Sequence, residues 1–454
     1  MENLLKRIDR YHWGLLLLAV PLLVFITPNR VLILLIIPVL WLVSWKVTGK
    51  VLLPTPLNLS LLLLSSALLV SLFATYSINV SLPKIGGLLL GLAAFFIVAR
   101  ESQKPWGLAI SLFFLAAAGV GIAALGLLNT QWFTGKLTFL NPITENLPQS
   151  LLALPGAESG FHPNEVAGVL LWVLPILIAV CLAGLFKYRQ LKTALGRGLN
   201  AGTFLLLALT TVFVSFVFIL AQSRTAYLAL AFTLVVMLLV WVAQRSRLIL
   251  PIGLLILVLG AAAFFWLGNP EALWGQLELK GSGLEGAFSL STLAIRVEIW
   301  GRALQAVRDF PLTGMGMNTF RVLVHELYPF FTIPADTDIG HAHNEFLQAA
   351  LDLGLPGLIA LLSIYLVTFW MLFDLWKTAY QQDGSALPPT AQRALILGCG
   401  GGLFAHALFG LIDAVALGAK PGIVFWILLG VISGLFLKKQ QTAAIGESTQ
   451  VHLS

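Results

Sequence analysis

Apolar runs of about twenty residues, the length that crosses a bilayer core of about 30 Å as a helix, recur from one end of the chain to the other. Twelve such runs predict membrane helices over 12–27, 30–46, 57–75, 84–99, 106–128, 164–186, 199–220, 225–243, 248–267, 350–373, 391–412 and 421–437. The first two, and the seventh and eighth, follow one another closely enough to form tight hairpins. Two stretches are too polar to cross. One covers about 129–163 and ends in GFHPNEVAG; the other covers 268–349, between helices 9 and 10, and is the longest non-membrane stretch of the chain. A connection of that length is uncommon unless it is functional, and this one carries a helical period. In STLAIRVEIWGRALQAVRDFP the apolar positions Leu293, Val297, Trp300, Leu304 and Val307 share one face of a helix near 292–309, closed by Asp309 and Pro311. The pattern predicts an all-α polytopic membrane protein. Helices 1–9 occupy 1–267, the partly helical loop 268–349, helices 10–12 350–440, and a tail 441–454.

Composition sharpens this picture by exclusion. Of 454 residues, 58% are apolar and 10% charged, against about 25% charged in a soluble globular protein; mean hydropathy is +0.92. So few charges cannot cover a water-facing surface, which excludes a soluble enzyme and a disordered chain. The pI of 9.5 is basic, but Lys and Arg are scattered between apolar runs without forming a basic face, so lipids rather than nucleic acid are the expected surroundings. Cys181 and Cys399 lie inside apolar runs and form no disulfide framework. The run after MENLLKRIDR lacks a small-residue cleavage site and reads as a first span rather than a signal peptide. With the N-terminus cytoplasmic, 17 of the 27 Lys and Arg residues collect on the inner side. The short outer connections hold only Arg30, Lys84, Lys136, Arg224 and Lys420. Both termini are then cytoplasmic, and both polar stretches face outward.

A short list of residues is left that topology does not explain. Arg224 sits in AQSRTAYLAL between two long apolar runs. An ionisable group there marks a functional site, and snorkelling to the headgroups is the competing reading. Arg296 lies at the edge of the apolar face of the loop helix beside Ala303, where a guanidinium needs an anion, either a carboxylate or a ligand phosphate. Arg302 points away from that face, with Glu298 as a surface partner. Gly314 and Gly316 permit a tight turn but lack the Lys and flanking strand of a phosphate loop. His341 and His343, with Asp336 and Asp338 just before them, form the densest titratable cluster of the outer half. Three readings stand: a self-solvating helix start, a metal site, and a general base, for which imidazole is suited near neutral pH. His406 and Asp413, seven residues apart, share a face of the eleventh span, where an interhelical hydrogen bond or a common cavity would use them. His162, Asn164 and Glu165 open the sixth span at the same outer level, with Asn164 as the expected helix cap.

On these residues the chain resembles the O-antigen ligase family, within the ligase and polymerase superfamily of bacterial surface polysaccharide assembly. The matching pieces are GFHPNEVAG, SRTAYLAL, RVEIWGRALQAVRDFPLTGMGMNTF and HAHNEFLQAALDLGLPGLIALL, in that order, with one long outer loop before the tenth of twelve spans. The resemblance implies a bacterial inner-membrane glycosyltransferase with its active site facing the periplasm. It would transfer a glycan from undecaprenyl diphosphate to an acceptor such as a sugar of the lipid A core, inverting the anomeric centre and using no metal or other cofactor. His343 would be the base, with His341 second to it, and Arg224 and Arg296 would bind the donor diphosphate; His162, Asn164, His406 and Asp413 would line the cavity. A polymerase of the same superfamily, a protein O-oligosaccharyltransferase and a lipid-linked sugar transporter are the alternative readings. Asp336 and Asp338 are the support for a metal-dependent mechanism.

Overall fold

The computed structural model describes residues 2–11, 28–50, 52–132, 137–148, 160–195, 201–246, 248–256, 290–379 and 389–451, with the single positions 14, 26 and 259. Its principal helices are α1 (Glu2–Arg10), α2 (Ile36–Thr48, preceded by the 3₁₀ segment Pro28–Leu35), α3 (Asn58–Ala74), α4 (Ile78–Glu101), α5 (Pro105–Asn129), α6 (Pro163–Leu170), α7 (Leu174–Leu195), α8 (Ala201–Leu220), α9 (Arg224–Val242), α10 (Leu290–Asp309), α11 (Thr319–Leu327), α12 (Glu345–Thr378), α13 (Pro389–Gly410) and α14 (Ile423–Val451). Among the described residues, eight helices are long and apolar enough to cross a membrane. The pair α6 and α7, bent by 44°, makes a ninth if read as one broken span. Helix α3 is apolar but shorter, at 17 residues. The predicted span 12–27 falls almost wholly outside the described residues, as does half of 248–267. The protein is an all-α polytopic membrane protein, and its described helices divide into two compact units.

The first unit comprises Met1–Ala118, Glu298–Ile396 and Gly410–Ser454. Its most extensive helix pairing joins α4 to α14. Lipid offers no hydrophobic drive for helices to associate, so close van der Waals approach between small residues has to supply it. Gly430 and Gly434, one turn apart on α14, provide that approach: a Cβ there would stand 2.7 Å from Val98 Cβ and 2.5 Å from Ser102 Cβ. On α4, Gly91 leaves room for the Trp426 ring. At one end of α4, Arg100 makes a bidentate pair with the buried Asp9 of α1, at 2.7 and 2.6 Å.

Helix α12 packs on α3 and breaks near its start. Gly354 has φ 71°, which glycine adopts without strain, and Pro356 lacks an amide hydrogen. In an unbroken helix the Leu355 amide would donate to the Leu351 carbonyl. Here Leu355 N donates to the Pro311 carbonyl at 2.7 Å, and the Leu351 carbonyl accepts from Met315 N at 2.7 Å. The turn 311–316 therefore takes over the Leu355 amide and the Leu351 carbonyl. Gly314 fits because a Cβ would meet Gly354 N at 2.6 Å. Gly314 of PLTGMG thus serves a helix junction, and Gly316 lies against Thr75 at the end of α3.

Beyond this junction the loop has a core of its own, built from Ile299, Ala303, Ala306, Met315, Phe320, Val324, Tyr328, Ile333, Ile339, Ala342 and Leu351. It corrects the predicted face of α10. The buried stripe is Ile299, Ala303 and Ala306, whereas Val297 and Leu304 are 55% and 51% exposed. The alanines share one core with Phe320 and Val324 of α11, a placement that hydrophobicity alone does not reveal.

The second unit comprises Gly119–Val297 and Leu397–Phe409. Around the bend between α6 and α7, the glycine-rich segment of α13 lies directly on backbone: a Cβ at Gly402 would stand 2.4 Å from the Trp172 carbonyl oxygen and one at Gly398 2.7 Å from Ile176 Cα.

Gly354→Ala forces a side chain into the left-handed region and within 2.5 Å of the Leu312 carbonyl. It should destabilise the detergent-solubilised protein by more than about 1 kcal/mol, seen as a lower melting temperature. An unchanged melt would contradict the junction described for α12.

Candidate functional site

His341 and His343 stand immediately before α12, on either side of Ala342, which is fully buried in the loop core. With Ala342 turned inward, its neighbours turn the other way, and their rings meet at a centroid distance of 4.4 Å. Both imidazoles are half-buried and face the carboxylate of Asp413, which is buried. His343 Nδ1 is 3.2 Å from Asp413 Oδ1, and His341 Nε2 is 3.9 Å from the same oxygen. That oxygen also accepts from the Ala414 amide at 3.0 Å.

The partners fix the tautomers. A carboxylate only accepts, so His343 carries its proton on Nδ1 and presents Nε2 as the bare nitrogen. His341 Nδ1 accepts from the His343 amide at 3.1 Å, which leaves the proton of the neutral ring on Nε2, facing Asp413. The three side chains each offer one atom within 4.8 Å of the others, the spacing a metal ion also requires. The same three side chains can equally serve as an imidazole oriented by a carboxylate.

The loop is held from several sides. His343 has φ 47°, a strained conformation for a residue with a Cβ, which persists only where its surroundings over-determine it. Gln348 Oε1 accepts from the Ala342 amide at 2.8 Å, and Gln348 Nε2 donates to the buried Asp352 at 2.9 Å. Asp352 Oδ1 also accepts from Asn318 N at 3.0 Å, and Asn318 donates to the Val80 carbonyl of α4 at 3.3 Å. The Trp300 indole donates to the His343 carbonyl at 3.3 Å. Asn344 caps α12 by accepting from Leu347 N at 2.9 Å and donates to the Leu411 carbonyl at 2.8 Å.

The other carboxylates near these histidines in sequence lie elsewhere. Asp338 pairs with Arg321, its Oδ1 accepting from Arg321 Nε at 2.8 Å, and Asp336 is exposed. The acid that joins the histidines is Asp413, 70 residues along the chain from His343. Glu298 accepts from the Phe331 and Thr332 amides and from the Thr332 hydroxyl. The Thr332 hydroxyl, helped by those amides and by Arg302, holds the Glu298 carboxyl below its ordinary value. The Arg302 guanidinium lies 4.6 Å from the Phe331 ring centroid. Glu298 and Arg302 thus anchor one surface turn.

His406 and Asp413 do not share a helix face, because α13 ends at Gly410 and Asp413 lies in the loop beyond it. His406 is fully buried in the second unit, stacked on Trp172 at 3.8 Å, with Nδ1 2.8 Å from the Gly168 carbonyl. At the bend, Trp172 N bonds to Val169 O instead of Gly168 O, and His406 serves the carbonyl so released. The cap of α6 is His162, whose Nδ1 accepts from Asn164 N at 3.3 Å, with Pro163 as the first helical residue. Asn164, expected as the cap, is instead the residue that donates to it, because Pro163 suits the first helical position. Arg224 is the first residue of α9, half-buried, after a connection in which Gln222 has φ 47°. Arg296 lies within electrostatic reach of Arg224, although 72 residues separate them in the chain. Sequence reading missed the bonds of Asn344, Gln348 and Trp300; the one signal was that these polar residues stand in otherwise apolar surroundings.

Residues 209–362 match the Wzy_C family model, described as O-Antigen ligase. The matched stretch contains Arg224, Arg296, His341, His343, Asn344 and the junction at Gly354, and stops short of Asp413. No curated protein matches the chain.

His406→Phe keeps an aromatic ring on Trp172 and removes the hydrogen bond to Gly168. It should lower stability by about 1–3 kcal/mol in thermal unfolding. A melt equal to the unsubstituted protein would remove His406 from this structural role.

Proposed function

For a membrane protein that carries a domain of the O-antigen ligase and polymerase superfamily over residues 209–362, we propose an O-antigen ligase reaction. The protein moves a glycan from undecaprenyl diphosphate to a sugar of the lipid A core, inverting and metal-independent, with His343 as general base. The observation that carries this reading is the 3.2 Å contact between His343 Nδ1 and the buried Asp413. A carboxylate placed there holds the imidazole in the tautomer that leaves Nε2 able to accept a proton, and it stabilises the imidazolium that forms.

The reaction then runs as a single displacement. The acceptor hydroxyl oxygen attacks the anomeric carbon while its proton passes to His343 Nε2. The bond from that carbon to the diphosphate oxygen breaks, and its electron pair leaves with the undecaprenyl diphosphate. One displacement inverts the anomeric centre. The leaving diphosphate gains charge as the bond breaks, and fixed cations in a water-poor site are worth several kcal/mol at that stage. Arg224 and Arg296 supply them. Two guanidiniums held within reach of each other repel, and a diphosphate offsets that repulsion with forked hydrogen bonds that suit phosphate oxygens. His341, facing the same carboxylate, supports His343. The skew of basic residues puts both termini in the cytoplasm and the histidines on the periplasmic face of the inner membrane.

His343→Ala should cost most of the about 10²–10⁴-fold that general-base catalysis supplies, with the folded protein still inserted in the membrane; near-normal transfer would overturn the assignment. Arg224→Lys should fail as well, since a point charge cannot reproduce the fork, whereas full activity would reduce Arg224 to a topological anchor. Transfer should survive EDTA, and a loss restored by a divalent cation would retire the metal-independent mechanism. The deciding experiment is reconstitution of purified protein with an undecaprenyl-diphosphate glycan and either lipid A core or a second donor. A modified core is the expected product; a lengthened glycan on the lipid carrier would identify a polymerase.

A further inference from the structure

We propose that Asn344 is a positioning residue for the transfer: one carboxamide sets His343 and Asp413 in hydrogen-bond register. The inference rests on the reading of His343 as the base. Asn344 follows His343 directly and makes two bonds of opposite sense. Its Oδ1 accepts from Leu347 N at 2.9 Å, which starts α12 at this residue, and its Nδ2 donates to the Leu411 carbonyl at 2.8 Å. Leu411 stands two residues before Asp413. A single side chain thus ties the segment that bears the base to the loop that bears its carboxylate, one residue from the first and two from the second. The two senses fix the amide orientation, because an amide N–H must face the oxygen and a carbonyl oxygen must face the helix N–H.

The neighbouring contacts act differently. Gly410 approaches Glu345 so closely that a Cβ would meet its Oε2 at 2.7 Å, but that is packing and has no preferred rotation about the loop. Gln348 holds the Ala342 amide and Trp300 the His343 carbonyl; both bonds fix the histidine segment rather than the 411–414 loop. Asp413 bonds to its own following amide, Ala414 N, at 3.0 Å, which sets the carboxylate relative to its loop and leaves the loop itself to be placed. Asn344 places it.

Two variants separate positioning from folding. Asn344→Ser keeps a capping hydroxyl for α12 and is too short to reach Leu411; Asn344→Asp keeps the capping oxygen and loses the donor. Both should melt close to the unsubstituted protein. Each should lower kcat roughly 10- to 100-fold, as misplacement of a catalytic group by about 1 Å does, with KM for both substrates unchanged. Combined with Asp413→Asn, neither should lower kcat further, because the carboxylate contact is already lost. In protein labelled with ¹⁵N-histidine, the Nδ1–H resonance assigned by its absence in His343→Ala should shift alike in Asn344→Ser and Asp413→Asn. Unchanged kcat, losses that multiply with Asp413→Asn, or an unmoved His343 resonance would each overturn the role of Asn344 while leaving the base assignment to stand on His343→Ala. Full activity of His343→Ala would instead remove the base, and the shared shift of the resonance would still report the register.

Discussion

A backbone polar group released at a helix break or end needs a new partner, and within a membrane that partner has to come from the protein. The described structure meets that demand at three places with three different kinds of donor and acceptor. At the break in α12, the turn 311–316 supplies a carbonyl for the Leu355 amide and an amide for the Leu351 carbonyl. At the bend between α6 and α7, an imidazole supplies the hydrogen for Gly168. Beyond the end of α13, the Asn344 carboxamide serves the Leu411 carbonyl. Each solution also fixes the position of something else.

The first of these solutions holds the loop domain to a span, since the turn that satisfies α12 is continuous with the core that buries Ala342. The third brings the Asp413 loop to the histidines. The requirement for satisfied backbone is therefore the source of the site's geometry: His343 and the Asp413 carboxylate stand where two helix ends are stitched together. The histidines divide accordingly. His406 and His162 serve helix geometry, at a bend and at a cap, whereas His341 and His343 share a buried carboxylate and keep an accessible ring edge.

Much of this was legible in the chain. Apolar run lengths gave an all-α membrane protein with a long polar loop before α12, and the loop helix appeared where its period placed it. Arg224, Arg296 and His343 stood out as polar residues that orientation does not explain, and residues 209–362 match the family that their motifs resemble. What the sequence hid is long-range or depends on shape. Period marked a helix over α10 but assigned its buried face to large side chains, when the folded core buries Ile299 and two alanines. Spacing placed His406 and Asp413 on one helix because nothing in the local pattern ends α13 at Gly410. Proximity in sequence linked Asp336 and Asp338 to the histidines, and tertiary structure chose Asp413 instead. The glycines of PLTGMG and LGLPG each permit a turn; that the two turns complete each other's hydrogen bonds is a property of the folded pair alone.

The central claim is that His343, oriented by Asp413, takes the proton of the attacking hydroxyl. Chemical rescue tests it most directly. Purified His343→Ala, reconstituted with lipid-linked donor and acceptor, should regain transfer when small imidazoles are added, with a rate that rises with the basicity of the added imidazole, as a general base requires. Failure of every imidazole to restore transfer in a folded His343→Ala protein, or a rescue indifferent to basicity, would contradict the account.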